Sequence, residues 1–416
     1  MTKGNKFGAF AGVFTPSILT ILGVIMYLRL PMIVGSGGLI FSILIIMVAH
    51  IISVTTGLSV SSIATDKSVQ GGGPYYIVSR SLGLSLGGTL GLALFVGLSF
   101  SISLYVIGFS ESVLNYFNYQ VNTDTIRICG SVTLLILTIL TFISTSLAIK
   151  TQFIILAFIV LSLVSIFFGP GLVPDGGAIQ PIDSAPLSTD VNVMFLFGIF
   201  FPAVTGFTAG VNMSGDLKDP RKAIPSGTLW SIFVGMAIYL SLAVFLALTV
   251  PKEQLVNNKE VLLDISLNRE LVVAGIWGAT LSSALGSILG APRILQALAL
   301  DRIANRIFGK GHGRSNEPRN ALILSFIIAE MGILIAELDV IARIVSMFFL
   351  ATYGFLNLSC VIENWASPDF RPDFEIPRWV SVVGAVTCGL VMIQLDLLAT
   401  IGAAILLTGL FIFLKR

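Results

Sequence analysis

The chain has 416 residues, of which 55% are hydrophobic and 11% are charged, and its mean hydropathy is +0.95. A soluble globular chain carries about 25% charged residues, so this composition excludes a soluble globular protein and predicts one with many membrane spans. The formal net charge of +2 says little about partners, because in a membrane protein the sidedness of the charges matters more than their sum.

Twelve apolar runs follow one another along the chain, each near the length of about 20 residues that a helix needs to cross a membrane. They cover residues 11–31, 38–63, 84–117, 129–148, 151–168, 191–211, 227–250, 270–299, 319–337, 340–360, 379–395 and 397–414. If the amino terminus is inside, 18 of the 24 Lys and Arg residues fall in inside segments. The runs predict a multi-pass, all-α membrane protein, and the bias predicts both termini in the cytoplasm, with residues 1–10 as a cytoplasmic segment. The expected location is the cell (plasma) membrane.

Two of these runs carry the signals of a broken helix. In the sixth run Pro202 removes a backbone donor, and Gly206 and Gly210 loosen the backbone. The first run has a similar interruption at Thr20 to Val24, around Gly23. Unpaired backbone groups are costly in lipid, so a break is tolerated only where it is buried in protein or lines a wet cavity. The breaks therefore predict an ion site, and the alternative is a proline-kinked packing helix.

The order of the runs indicates an internal repeat. A unit of five spans inverts in the membrane, so spans one to five and six to ten would form two inverted halves, each with its first helix broken. This predicts a LeuT-like transport core over residues 11–360, with repeats at 11–168 and 191–360. Residues 361–416 would hold a cytoplasmic loop and the last two helices, which we expect at a dimer contact.

Two groups of oxygen atoms at the predicted centre suit dehydrated alkali cations, which need several oxygens to replace their water shell. The first group has the carbonyls of Thr20, Ile21 and Pro202 with the hydroxyls of Tyr105 and Thr205. The second group has the carbonyls of Leu19, Leu22 and Ala279 with the hydroxyls of Ser282 and Ser283. For the two serines the alternative is a packing contact or a bond to the preceding helical turn. For Tyr105 the alternative is an interfacial position, although it lies in the middle of its span.

An anion at this centre meets no Lys or Arg. Chloride would have to bind backbone amides at the two broken ends, helped by the half-helix dipoles and by nearby cations. These amides belong to Gly23, Val24, Ile25, Gly206, Phe207 and Thr208. Tyr353 would add a hydroxyl donor, unless it is a core tyrosine whose hydroxyl is bonded elsewhere. Because a bound cation stabilises chloride in a low dielectric, this arrangement predicts cotransport of both ions.

Charged residues on both sides of the centre are candidates for gates. Arg29 follows Gly23 by six residues and Glu111 follows Tyr105 by six, which places both about 9 Å above the site. They are predicted to pair as the outer gate, and a static structural bridge is the alternative. On the inner side Asp216 and Asp301, with Lys218, would form the corresponding gate, unless they are solvated loop charges.

The order and content of several motifs resemble the cation-chloride cotransporters of the amino acid-polyamine-cation superfamily, over residues 10–414. The motifs are GVIMYLRLPMIVGSGG, SSIATDKSVQGGGPYYIVSRSLG, LYVIGFSESV, FFPAVTGFTAGVNMSGDLKDPRKAIPSGTL, ATLSSALGSILGAPRILQALALD, NEPRNALIL and FFLATYGFLNLS. This resemblance implies the inverted-repeat fold and electroneutral, gradient-driven uptake of chloride with cations. It assigns potassium to the first oxygen group, sodium to the second, and two chlorides to the two sets of amides, with Tyr353 at the second set.

Individual residues indicate the subtype that the resemblance implies. Potassium-chloride members replace one serine of the pair Ser282 and Ser283, and sodium-chloride members have a histidine at the position of Tyr105. We therefore expect sodium-potassium-chloride cotransport, with potassium-chloride or sodium-chloride cotransport as the alternatives.

The chain also departs from the family pattern. Thr20 replaces an asparagine, Leu22 a tryptophan, and Ala11 the lysine of the animal members. The family typically carries a large carboxy-terminal cytosolic domain, whereas this sequence stops two residues after its last apolar run.

An amino-acid transporter of the same fold is the main competing prediction, because it too would use broken helices. Here Leu22, Tyr105, Phe207 and Tyr353 fill the space near the breaks, which favours small ions. An enzyme is not expected, since His50 and His312 have no partners at catalytic spacing. No cofactor is expected. The expected partners are small inorganic ions, the lipid bilayer and a second copy of the chain, with no nucleic acid.

Overall fold

The computed structural model of the chain describes residues 7–66, 72–143, 145–171, 192–212, 214, 217–312 and 316–415. Within these ranges the protein is helical, and its only strand-like pairings are the isolated bridges Phe7 to Leu217 and His312 to Glu317. The predicted all-α class is confirmed for this part of the chain.

Seventeen α-helices follow one another in the described ranges. They are α1 (Thr15–Ile21), α2 (Val24–Leu28), α3 (Leu30–Asp66), α4 (Gly73–Leu82), α5 (Leu84–Tyr116), α6 (Thr123–Ile143), α7 (Thr145–Phe167), α8 (Val193–Phe200), α9 (Thr208–Asn212), α10 (Pro220–Thr249), α11 (Lys252–Asn257), α12 (Val261–Asp264), α13 (Arg269–Leu300), α14 (Arg319–Ile335), α15 (Leu338–Ala366), α16 (Arg378–Leu395) and α17 (Leu397–Lys415).

Nine segments of the described chain are long and apolar enough to cross a membrane. They are Phe10–Leu28, Leu30–Asp66, Leu84–Tyr116, Thr123–Phe142, Pro220–Thr249, Arg269–Leu300, Leu338–Ala366, Arg378–Leu395 and Leu397–Leu414. The predicted runs 151–168 and 191–211 correspond to shorter apolar helices, Thr151–Phe167 and Val193–Val204. The remaining run, 319–337, corresponds to α14, which has 17 residues. The chain is therefore a multi-pass membrane protein by the length and apolarity of its helices.

The first predicted break lies between α1 and α2. Leu22 leaves the helix with φ −82° and ψ 44°, and Gly23 is extended with φ −95° and ψ −152°. A Cβ atom on Gly23 would lie 2.8 Å from the carbonyl oxygen of Thr20, closer than real Cβ contacts allow. The sharp change of direction therefore requires glycine at this position.

The second predicted break lies between α8 and α9. After α8 the chain tightens into a 3-10 turn, Phe201–Val204, and residues 205–207 are non-helical. Pro202 lies in this turn, where its missing N–H removes an α-helical hydrogen bond. Gly210, expected to loosen the break, instead lies inside α9. A Cβ atom there would be 2.6 Å from the carbonyl oxygen of Val13, so Gly210 permits close helix packing.

Two local features differ from the sequence prediction. The helix α3 begins at Leu30, before the predicted residue 38, because a helical stretch precedes the kink at Gly38, whose φ is +71°. The short helix α4 lies where an inside connection was expected. It follows Gly72 and Gly73, whose positive φ values of +108° and +47° suit glycine.

Helices α5 and α13 pack along each other, as do α3 and α10, and α1 contacts both α10 and α13. The segment Leu84–Tyr116 has 83% of its most apolar window buried, whereas Leu397–Leu414 has 0%. The segment Phe10–Leu28, which holds the first break, is 78% buried over its most apolar part, and Phe200 and Phe201 at the second break are fully buried. The broken helices therefore lie within the packed interior, and α17 lies at its edge.

Candidate ion-binding site

The two breaks touch each other. A Cβ atom on Gly206 would lie 2.7 Å from the amide nitrogen of Ile21 and 2.8 Å from the carbonyl carbon of Thr20. The hydroxyl of Ser17 donates to the carbonyl of Phe207 at 3.0 Å and accepts from the amide of Gly210 at 3.3 Å. Small residues and one serine therefore bring the interrupted backbones into direct contact.

The carbonyls of the first oxygen group are held by buried hydroxyls. The Tyr239 hydroxyl donates to the carbonyl of Ile21 at 2.7 Å, and the Thr205 hydroxyl donates to the carbonyl of Pro202 at 2.8 Å. The Tyr353 hydroxyl donates to the carbonyl of Thr205, also at 2.7 Å. Each carbonyl oxygen has two lone pairs, so one hydrogen bond orients it and leaves capacity for a cation.

Tyr105 lies at a small cavity between the breaks. Its side chain is 4% exposed, and among the described residues its hydroxyl has no hydrogen-bond partner. Thr20 and Thr205 line the same cavity, whose volume is about 20 Å³. That volume holds about one particle the size of a water molecule. Three members of the first oxygen group, Thr20, Tyr105 and Thr205, therefore line a space of about the size of one small ion, whereas Ile21 and Pro202 are not among its lining residues.

In the second oxygen group, the contact between α1 and α13 is made by Ser283 and Leu19. The Ser283 hydroxyl lies 3.4 Å from the carbonyl of Leu19, to which it can donate, and the Ser282 hydroxyl donates to the carbonyl of Ala279 at 3.2 Å. Leu22 is 2% exposed and lies at the end of α1. Ser283 thus spans the two helices, whereas Ser282 bonds back to its own preceding turn.

At both breaks, several backbone amides have no backbone acceptor within the described residues. Gly23 caps α2 without a side-chain hydrogen bond, so the amides of Val24 and Ile25 lie in a first turn that lacks intrahelical acceptors. In the described chain the amides of Gly206 and Phe207 form no backbone hydrogen bond, and the Thr208 amide reaches the Thr205 carbonyl at 3.5 Å. Such free donors at helix starts are suited to an anion.

Arg29 links three elements on one side of the centre. Its guanidinium donates to both carboxylate oxygens of Glu111, at 3.1 and 3.2 Å, and to Asp339 at 2.5 Å. The side chains of Arg29 and Glu111 are 11% and 9% exposed, and that of Asp339 is 36% exposed. The predicted partners meet, and Asp339 at the start of α15 is a third member that the sequence did not reveal.

Asp301 lies on the opposite side, at the end of α13. It accepts from the Tyr75 hydroxyl at 2.6 Å and from Arg80 at 3.3 Å, both on α4. Burial and the hydrogen bond to Asp301 raise the pKa of Tyr75 above its usual range, so its phenol stays a donor. Of the expected inner-gate residues, Asp216 falls outside the described residues. The backbone amide of Lys218 bonds to the carbonyl of Phe7.

Sequence reasoning missed Tyr239, Ser17 and Asp339. Tyr239 and Ser17 lie inside apolar runs, where a hydroxyl carries no sign of its partner. Asp339 directly precedes the tenth run and looks like a charge at the end of a span. The spacing of residues along the chain reveals only partners on the same helix. The partners of these three residues lie 190 or more positions away.

An all-helical membrane protein with two broken helices that meet at a small polar cavity belongs, by class, to the membrane transporters. The family model for amino acid permeases matches residues 12–416, and the chain belongs to this family. A permease is a transporter, so the family also assigns the chain to transporters rather than to enzymes.

Two individual proteins are similar to this chain in sequence over nearly its whole length. Solute carrier family 12 member 1 of Mus musculus is 36% identical over 472 residues, which cover 99% of this chain and 43% of that protein. Solute carrier family 12 member 2 of Homo sapiens is 36% identical over 465 residues, which cover 98% of this chain and 38% of that protein. The chain spans about two fifths of the length of these relatives. The resemblance inferred from the motifs is confirmed.

Proposed function

We propose that the chain carries out electroneutral cotransport of chloride with sodium and potassium, driven by ion gradients, by alternating access across the plasma membrane. In this proposal twelve spans form two inverted repeats of five and a final pair, both termini lie in the cytoplasm, and no cofactor takes part. The ions are the cargo.

The observation that carries this proposal is the contact of the two breaks around a cavity of about 20 Å³. Thr20, Tyr105 and Thr205 line the cavity, and none of them carries a formal charge. These groups suit a dehydrated alkali cation. The space is about that of one water-sized particle, which favours small ions over amino acids as cargo in this conformation.

The proposed assignments follow the three sets of groups. Potassium binds at Thr20, Ile21, Tyr105, Pro202 and Thr205. Sodium binds at Leu19, Leu22, Ala279, Ser282 and Ser283. Chloride binds at Gly23, Val24 and Ile25 and at Gly206, Phe207 and Thr208. Tyr353 belongs to the second chloride set only if its hydroxyl leaves the carbonyl of Thr205, to which it donates in this conformation. Because unlike charges a few Å apart attract strongly in a low dielectric, each ion raises the affinity of the site for the other, and this coupling makes the cotransport obligatory.

The same proposal gives roles to the charged residues. Arg29 and Glu111, joined by Asp339, close the outer side, and in this conformation they are paired. Asp301 and Asp216 belong to the inner gate, with Asp301 held by α4. Opening one side requires that its contacts break while those of the other side hold.

The test is uptake of rubidium, a potassium substitute, into proteoliposomes. We expect uptake only when sodium and chloride are both present outside. Tyr105→Phe should raise the rubidium concentration for half-maximal uptake, and Ser283→Ala that for sodium, each by about fivefold, the equivalent of about 1 kcal/mol for a lost ligand. Uptake of rubidium that persists without chloride would overturn the proposal.

The second candidate function is amino-acid transport, which the family description favours. It predicts uptake of a labelled amino acid that is indifferent to removal of chloride. A panel of labelled amino acids assayed in the same proteoliposomes distinguishes the two functions.

A further inference from the structure

A second layer of polar side chains lies one helical turn from the central site, toward Asp301. Ser101 precedes Tyr105 by four residues on α5, Ser287 follows Ser283 by four on α13, and Asn212 follows Thr208 by four on α9. Residues four apart lie on one face of a helix. Each of the three helices therefore carries a second polar side chain one turn nearer to Asp301. We call Ser101, Asn212 and Ser287 the inner tier.

The inner tier shares the cavity of the central site. All three of its side chains line the cavity together with Thr20 and Tyr105. They are 2%, 8% and 6% exposed for Ser101, Asn212 and Ser287. The cavity, which holds about one ion at a time, is therefore lined by predicted potassium ligands and by a second set of oxygens, so that an ion can occupy one position or the other.

Two groups of the tier lack partners. The Oδ1 atom of Asn212 is buried, and no hydrogen-bond donor reaches it within the described residues. In the same part of the chain the Ser287 hydroxyl also forms no hydrogen bond, whereas Ser101 donates to the carbonyl of Gly97 at 2.9 Å and keeps its lone pairs free. A buried acceptor without a donor is costly, and a cation at this position would satisfy it.

The start of α4 closes the tier on the Asp301 side. A Cβ atom on Gly73 would lie 2.8 Å from Oδ1 of Asn212, so the chain passes directly beneath this side chain. Two residues further on, Tyr75 is tied to Asp301. An ion leaving the centre toward this side meets the inner tier before it meets α4.

We propose that Ser101, Asn212 and Ser287 form a second binding site for a potassium-class monovalent cation, occupied when the ion leaves the central site for the cytoplasm. The oxygens are neutral, so the site binds weakly and lets the ion go, and movement between the two sites needs only about one helical turn of about 5.4 Å. This inference rests on the proposed cation transport and adds a release step to it.

The direct test is anomalous diffraction from crystals of the full chain grown in rubidium chloride. We expect one rubidium peak at Tyr105 and Thr205 and a second among the inner tier. Ser287→Ala and Asn212→Ala should remove the second peak and keep the first. Ser99→Ala is the matched control, because Ser99 is buried two residues from Ser101 on α5, bonds only to the carbonyl of Phe95 and does not line the cavity.

The outcomes separate the two proposals. Rubidium at the central site alone would overturn the inner tier and leave the proposed function standing. Bromide in place of rubidium at Asn212, in crystals grown in rubidium bromide, would also overturn the inner tier. Absence of rubidium from both places would count against cation transport itself.

A transport measurement covers the case in which Asn212→Ala does not fold. For Ser101→Ala and Ser287→Ala, the internal rubidium concentration for half-maximal rubidium exchange should rise about fivefold, the equivalent of about 1 kcal/mol. The external half-maximal concentration should stay unchanged, because ions from outside reach the central site first. Equal changes on both sides would contradict a release site.

Discussion

At the scale of single residues, the site depends on side chains that aim backbone carbonyls. Tyr239 is fully buried, with Phe200 packed against its ring at 5.2 Å between centroids, and its hydroxyl holds the carbonyl of Ile21. A carbonyl at a helix break has no helical neighbour to fix its direction. Tyr239 therefore sets the position of one predicted potassium ligand without itself contacting the ion.

Replacing Tyr239 by phenylalanine tests this positioning role. We expect the rubidium concentration for half-maximal uptake to rise about threefold to tenfold, from the loss of a hydrogen bond of about 1 kcal/mol, while the sodium concentration stays unchanged. Tyr27→Phe is the control, since Tyr27 is also buried and its hydroxyl bonds to Ser162 rather than to a break. An equal rise for Tyr239→Phe and Tyr27→Phe would indicate a general effect on stability.

At the scale of helices, Arg29 joins the start of α3 to α5 and α15. Its bond with Glu111 is bidentate and well buried, whereas Asp339 is more than a third exposed. Removing one member of a buried ion pair leaves the other charged and desolvated, which costs more than loss of an exposed pair. The two carboxylates should therefore contribute unequally to the closed state.

Neutral replacements of the carboxylates test this difference. Glu111→Gln should lower the free energy of unfolding by about 3 kcal/mol, and Asp339→Asn by about 1 kcal/mol or less. Thermal unfolding of the purified protein in detergent, at low and high salt, measures both. If Asp339→Asn proves as destabilising as Glu111→Gln, the exposed carboxylate dominates the gate, contrary to this account.

At the scale of the whole molecule, burial is very uneven. The helix α5 is enclosed, whereas α17 presents large apolar side chains to its surroundings, with Leu398 81% and Phe413 73% exposed. Lipid tails can cover such a surface, and so can a second copy of the chain. We propose that α16 and α17 form the contact of a homodimer, with the transport core of each copy complete in itself.

Disulfide cross-linking tests this arrangement. Leu398→Cys and Phe413→Cys, introduced separately in membranes, should give dimers on mild oxidation. Ile128→Cys is the control, because Ile128 on α6 is also 69% exposed and lies on a helix outside the proposed contact. Dimer formation with Ile128→Cys alone, or with none of the three, would show that these helices face lipid.

The sequence alone determined the class of the fold and the position of the breaks. Apolar length and low charge decide membrane insertion residue by residue, and Gly23 and Pro202 act on their own backbone, so both signals are local. The motifs that identified the family are local too, because each is a short stretch of sequence that can be compared without knowledge of the fold. The sequence prediction was wrong about where α3 begins and about what Gly210 does. A kink or a close contact depends on what the helix packs against, which a local signal does not contain.

Only the tertiary structure decided which hydroxyl meets which carbonyl. Tyr239 reaches Ile21 across 218 positions, and Asp339 reaches Arg29 across 310. In sequence, Tyr239 looks like any core tyrosine and Asp339 like any charge at the end of a span. The unpartnered oxygen of Asn212 likewise exists only once α4 and α13 enclose it. Burial makes an unpaired polar atom costly, and burial is a property of the packed chain, which no single segment carries.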